Sequence, residues 1–184
     1  MNRSAALISS LFVVLLLSVS LCTAEDALSP DVQAKVDAKV KSIQAWGSDA
    51  TVIAAVKEYN LNPSADAKAM TNDTWKTLSV MTPFVRSLAK NPLIDSLKAK
   101  KDDTMTEIFV SGADGGKVGF LAKTTSWSHK GKEKHDVPMT GKTWQGKVEV
   151  DESTGKQQIQ VSFPVLDGGA PIGSIVVGLG ISKL

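Results

Sequence analysis

The chain has 184 residues, with 21 Lys and Arg against 19 Asp and Glu, a single Cys, and 42% hydrophobic residues. This length is sufficient for one domain with one hydrophobic core. The near balance of charge excludes the basic surface stripe that nucleic-acid binding requires, so we predict no nucleic-acid partner. One cysteine excludes an internal disulfide.

The first 24 residues have the pattern of a secretory signal peptide. Arg3 provides a positive start, an uncharged apolar run extends from Ala5 to Cys22, and small residues follow. We predict cleavage after Ala24 and a periplasmic or secreted protein. The alternative is a membrane anchor formed by residues 5–22, since about 18 apolar residues can span a bilayer. Cleavage would remove Arg3 and the cysteine, leaving 20 basic and 19 acidic residues.

Residues 25–103 are predicted to form an N-terminal helical segment. Ser29-Pro30-Asp31 is typical of a helix start, with a capping hydroxyl, a proline in the first turn and an acid near the positive helix end. Apolar residues then recur at helical spacing. Further helix starts lie at Ser48-Asp49, near Asn72 and at Pro92. Pro83 predicts a kink or break inside the third stretch.

Residues 104–184 are predicted to form an antiparallel sheet, because the apolar period changes from about 3.6 to 2 residues. Five strands are predicted, at residues 105–111, 117–122, 144–150, 158–165 and 172–181. In the fourth strand, apolar residues alternate with Gln158, Gln160 and Ser162, which predicts a half-buried strand. The last strand is apolar on both faces and is predicted to be central or covered. Residues 123–142 are polar and aperiodic, and are predicted to be a long loop.

Helices followed by strands define an α+β domain whose sheet packs against the helices. Three motifs of the sheet region resemble those of Cache domains. Asp114 to Val118 is similar to their D-x-G-x-V hairpin, and Asp151 to Gly155 to their acidic turn that ends in glycine. Phe163 to Val177 is similar to the closing pair of strands, P-V-x-D-x-G-x-x-I-G.

The chain therefore resembles a single-Cache module, with N-terminal helices before a five-stranded PAS-like sheet. This resemblance implies an extracytoplasmic sensor domain that binds amino acids, carboxylates or amines, usually within a receptor. Two features differ from the amino-acid-binding relatives. Lys134 to Pro138 stands where they have an arginine and a Trp-Tyr pair, and Gly178 to Gly180 stands where they often have an acid. A ligand ammonium would lack that counter-ion, so we expect a small polar or anionic metabolite.

The predicted loop holds the residues that we select as candidate ligand-binding positions. The stretch from Thr124 to Trp144, which extends from this loop to the start of the next strand, contains both histidines and two of the four tryptophans. Long loops in compact domains are often functional. Tryptophans could wall a cavity while a lysine pairs with an anionic ligand group. The candidates are Trp127, His129, Lys134, His135, Asp136 and Trp144. The alternative is that both tryptophans pack the loop onto the sheet and the lysines are solvated.

Metal binding and catalysis are not predicted. The two loop histidines and their neighbours Glu133 and Asp136 are joined by a flexible spacer, which does not fix the geometry of metal ligands. Ser126 and Ser128, the candidate nucleophiles, lack a nucleophile elbow and an oxyanion glycine run. We therefore predict a protein that is not an enzyme and has neither a metal site nor a cofactor.

The predicted function is an exported, sensor-type module that binds a small molecule. The sequence stops three residues after Ile181 of the last strand, so the module is expected to lack an output domain of its own. A membrane sensor protein is then a candidate partner. The alternative is an extracytoplasmic adaptor that binds a membrane receptor without any metabolite.

Overall fold

The computed structural model describes residues 28–150 and 157–184. The predicted signal peptide of residues 1–24 and the acidic turn of residues 151–155 lie outside these ranges, so both remain predictions. Within the two ranges, none of the helices combines the length and the apolar character needed to cross a membrane.

The N-terminal part of the described chain is helical, as predicted. Its helices are α1 (Pro30–Ile43), α2 (Ala50–Leu61), α3 (Ala65–Ala69), α4 (Asn72–Thr77), α5 (Pro83–Ala89) and α6 (Pro92–Lys100). The Ser29 side chain accepts a hydrogen bond from the backbone of Val32, and Asp49 caps α2 in the same way. Pro83 begins α5 after a break that follows α4, which confirms the predicted break. The short helix α3 was not predicted.

Five antiparallel strands follow. They are β1 (Met105–Gly112), β2 (Lys117–Phe120), β3 (Trp144–Val150), β4 (Gln157–Asp167) and β5 (Ala170–Gly180). The order across the sheet is β2-β1-β5-β4-β3, and every neighbouring pair is antiparallel. The strand β5 is central, as its apolar sequence predicts. The predicted architecture, helices followed by a five-stranded antiparallel sheet, is confirmed.

One face of the sheet packs against the helices and forms the main hydrophobic core. Ile108 of β1, Val177 of β5 and Val161 of β4 lie opposite one another across three strands. All three are fully buried. The helical residues that pack against this face include Val36, Val52, Val56 and Leu97. Helices α1, α2 and α6 are thus fixed to this face of the sheet by apolar burial.

The other face of the sheet is also covered. Residues 121–143, which connect β2 to β3 and are called here the β2–β3 segment, lie over it and contain a helical turn, α7 (Glu133–Asp136), and a 3-10 turn (Pro138–Thr140). Gln160 is only 8% exposed and Ser162 is fully buried. The predicted half-buried strand is therefore wrong, because alternation shows which residues share a face and not what covers that face.

Candidate functional site

A layer of buried polar side chains separates the second sheet face from the β2–β3 segment. The layer consists of Ser111, Lys117, His129, His135, Gln160, Ser162 and Ser174, all buried. Buried polar groups are unfavourable unless they are hydrogen-bonded. The partners of each group therefore indicate whether it supports the fold or is available to a ligand.

Lys117 joins the sheet to the β2–β3 segment. Its Nζ donates to the carbonyl oxygen of Trp127 at 3.0 Å and to Nδ1 of His129 at 2.6 Å, and it lies 3.4 Å from Oγ of Ser111. It also lies over the Phe109 ring, 4.7 Å from the centroid. These acceptors are neutral, and no ion pair within the described ranges involves Lys117. Burial lowers its pKa to about 7.

His129 is a neutral partner of Lys117. Its ring stacks on Phe109 with a centroid distance of 4.9 Å. Burial, and then the positive charge of Lys117, lower the pKa of His129 to about 2. When Lys117 is protonated, Nδ1 of His129 is the acceptor in the bond between them, since an ammonium has no acceptor. His129 therefore contributes packing and an acceptor, but no charge at neutral pH.

The short helix α7 is attached to two strands by consecutive residues. Lys134 Nζ donates to Oε1 of Gln160 on β4 at 2.5 Å, and Nε2 of Gln160 donates to Oε2 of Glu107 on β1 at 2.7 Å. His135 Nδ1 is hydrogen-bonded to Oγ of Ser174 on β5 at 2.8 Å. Burial lowers the pKa of His135 below its usual value, so the ring is neutral at pH 7. Lys134 is thus the positive charge that α7 presents at the sheet.

Ser162 differs from the other members of the layer. It is fully buried, and its Oγ has no hydrogen-bond partner within residues 28–150 and 157–184. Gln160, the partner of Lys134, is two residues before Ser162 on β4. Pro164 is two residues after Ser162, and it lies opposite Ser174 of β5, the partner of His135. Ser162 therefore lies between the two strand positions to which α7 is attached. Its hydroxyl is the group that retains a free hydrogen-bonding capacity at this interface.

The remaining candidates from the sequence have mainly structural contacts. Trp127 is 3% exposed and packs against Trp75 and Phe84, with ring centroids 5.4 and 5.6 Å away. Asp136 is exposed and its Oδ1 accepts from the backbone of Gly131 at 3.1 Å.

Trp144 lies opposite Ser162 in the strand register, and its Nε1 donates to Glu133 at 3.3 Å. The structure therefore brings His129, Lys134, His135 and Trp144 to the covered face of the sheet. It places Trp127 in an aromatic cluster beside that face.

The sequence missed the sheet residues of the layer. Gln160 and Ser162 belong to the alternating pattern of β4, and that pattern was the only available signal. Lys117 occupies a hairpin position, where an exposed lysine would be expected. Its burial depends on Trp127 and His129, which approach it only in the folded chain.

A cleft of about 710 Å³ lies elsewhere, between α2 and α6. Small and apolar side chains dominate its lining, among them Ala50, Ala54, Ala55, Pro92, Leu93 and Val118. Among the described residues that line it, Glu58 is the charged one. The cleft is therefore unsuited to an anion, in contrast to the surroundings of Lys134.

No protein-family model matches the sequence, and no curated protein matches it. Solved structures to which the chain has some similarity include the sensor domain of the Vibrio cholerae histidine kinase DctB. That match has 12% identity and a TM-score of 0.48, over 83% of this chain and 53% of that one. The sensory domain of the Campylobacter jejuni chemoreceptor Tlp3 (CcmL) with isoleucine bound has 11% identity and a TM-score of 0.40, over 85% of this chain and 66% of that one.

The ligand-binding domain of the Pseudomonas aeruginosa amino-acid chemoreceptor PctC, in complex with GABA, has 11% identity and a TM-score of 0.37, over 80% of this chain and 63% of that one. This chain thus spans between about half and two thirds of the length of these structures. All three are sensor or ligand-binding domains. The roles of individual residues in this chain rest on its own contacts.

Proposed function

We propose that this protein is an exported, sensor-type module that binds a small anionic metabolite between its sheet and the β2–β3 segment, and that it is not an enzyme. The observation that carries the proposal is the unpaired, fully buried hydroxyl of Ser162 beneath α7. Buried polar groups are nearly always paired, so this hydroxyl is a position at which a ligand atom would find a hydrogen-bond partner.

The charge for an anionic ligand would come from Lys134. Its ammonium is bonded to the neutral amide oxygen of Gln160, and no ion pair involving Lys134 occurs among the described residues. A carboxylate or phosphate oxygen could replace that amide as a stronger, charge-assisted acceptor. His135 is neutral and would position α7 beside the ligand, since its Nδ1 is bonded to Ser174 and its ring is also bonded to the backbone of Ala113.

The tryptophans would shape the site rather than hold the charge. Trp144 would form a side wall, since it lies opposite Ser162 in the sheet register. Trp127 would anchor one end of the β2–β3 segment through its aromatic neighbours. His129 and Asp136 would maintain the conformation of the segment through Lys117 and Gly131.

A ligand reaches this position only if the β2–β3 segment moves. Ser162 is fully buried and His135 is 1% exposed, so neither group contacts water in the closed protein. Movement of a covering segment during ligand binding is common in proteins. A membrane sensor protein that reads the position of this segment would be the partner of the module.

The experiment is a thermal-shift screen with small carboxylates and phosphates, followed by calorimetric titration of the anion that gives the largest rise in melting temperature. Lys134→Met should weaken binding about 10- to 150-fold, because hydrogen bonds to charged groups contribute roughly 1.5–3 kcal/mol. Lys130→Met is the matched control, since Lys130 is exposed on the same segment. It should bind as the parent does.

Two results would contradict the proposal. One is that no anion raises the melting temperature, which would favour an adaptor that binds a membrane receptor alone. The other is equal affinity of Lys134→Met and the parent, which would remove Lys134 from the site.

A further inference from the structure

One of the contacts that attach the β2–β3 segment to the sheet is made by a buried lysine. Lys117 lies on β2 and is fully buried. Two of its contacts, the carbonyl oxygen of Trp127 and Nδ1 of His129, belong to the segment, and the third, Oγ of Ser111, belongs to β1. Lifting the segment therefore breaks the two shorter contacts and admits water to the ammonium.

The charged and titratable groups around Lys117 come from several elements. Glu107 on β1 and Asp114 in the β1–β2 turn favour the ammonium, whereas Lys134 on α7 disfavours it. His129 is neutral, and so is His135 at pH 7. The effect of burial exceeds these interactions and lowers the pKa of Lys117 to about 7. The closed protein therefore holds the Lys117 proton weakly.

We propose that closure of the β2–β3 segment releases a proton from Lys117, so that the segment opens as the pH falls. Water solvates the ammonium in the open form, which therefore binds the proton more strongly than the closed form does. A proton that binds one of two states more strongly shifts the equilibrium toward that state. The inference rests on the proposed function in one respect: the segment that opens is the one that covers the proposed ligand site. The opening itself needs no ligand.

Amide hydrogen exchange of the ligand-free protein between pH 6 and pH 9 tests this proposal. The reporters are the hydrogen-bonded amides of His129, Lys132, His135 and Val137 in the segment, each rate being divided by the intrinsic rate at that pH. We expect the opening constant to increase about tenfold as the pH falls from 9 to 8, and to level off below pH 7, as proton linkage requires. These amides should also exchange faster than those of β4 and β5 at every pH.

Lys117→Met removes the titrating group and should abolish the pH dependence of segment opening. If this variant does not fold, the pH dependence of the opening constant in the wild-type protein still tests the proposal. A pH-independent opening constant would overturn the proposal. So would exchange of the segment amides at the rate of the β4 and β5 amides, because opening would then occur only through global unfolding.

The two proposals fail separately. If no anion binds but the segment opens with falling pH, the proposed function is wrong and the proton linkage stands. If an anion binds with Lys134-dependent affinity but segment opening is independent of pH, the proposed function stands and the linkage is wrong.

Discussion

Replacing Ser162 with alanine removes a buried hydroxyl that has no hydrogen-bond partner within the described residues. A buried unpaired hydroxyl destabilises a protein by roughly 1–3 kcal/mol, and the void left by one oxygen atom offsets part of this gain. We therefore expect Ser162→Ala to raise the free energy of unfolding of the ligand-free protein by about 1 kcal/mol. At this chain length the melting temperature should rise by about 2–4 °C.

The same substitution should weaken ligand binding. A neutral hydrogen bond contributes about 0.5–1.5 kcal/mol, which corresponds to roughly a 2- to 12-fold loss of affinity. Urea denaturation at pH 7 measures the stability, and calorimetric titration with the anion found by the screen measures the affinity. Higher stability combined with weaker binding is characteristic of a group retained for function.

Ser174→Ala is the matched control, because Ser174 is equally buried on the same sheet face but is bonded to His135. Its removal leaves Nδ1 of His135 unpaired and should lower the free energy of unfolding by about 1–3 kcal/mol. A loss of stability in Ser162→Ala similar to that in Ser174→Ala would refute the reasoning. It would mean that the Ser162 hydroxyl is already paired when no ligand is bound.

Two further predictions concern the cover of the site. Between pH 7 and pH 9 the unfolded chain holds the Lys117 proton while the folded chain loses it, since burial lowers the folded pKa from 10.5 to about 7. The free energy of unfolding should therefore rise by about 2 kcal/mol over this interval, and urea denaturation of Lys117→Met should show no such rise. Trp127→Ala should lower the free energy of unfolding of the ligand-free protein by about 3–5 kcal/mol, because Trp127 packs inside an aromatic cluster. If the variant is as stable as the parent but no longer binds the anion, Trp127 is a wall of the site instead.

The helices and strands could be predicted because their signals are local. The caps at Ser29 and Asp49 and the prolines at the starts of α5 and α6 act within one helical turn. The five strands follow from period-2 alternation and intervening turns. The short helix α3 and the turn of α7 lack such signals, since each has fewer than two helical turns in which periodicity could be recognised.

The candidate site could be predicted only in part, because its two halves are distant in sequence. Four of the six selected residues lie at the covered face, and they were found because residues 124–144 concentrate histidine, lysine and tryptophan. Their partners Gln160 and Ser174 could not be found, since they are 26 and 39 residues away from Lys134 and His135. The burial of Ser162 likewise depends on a segment that approaches β4 only in the folded chain.

A crystal structure of the protein with the first anion that raises its melting temperature tests the central claim most directly. We expect the anionic group between β4 and α7, within hydrogen-bonding distance of Lys134 Nζ and Ser162 Oγ, with the β2–β3 segment closed over it. An anion found in the cleft between α2 and α6, or on the outer surface with Ser162 still unpaired, would contradict the proposed site.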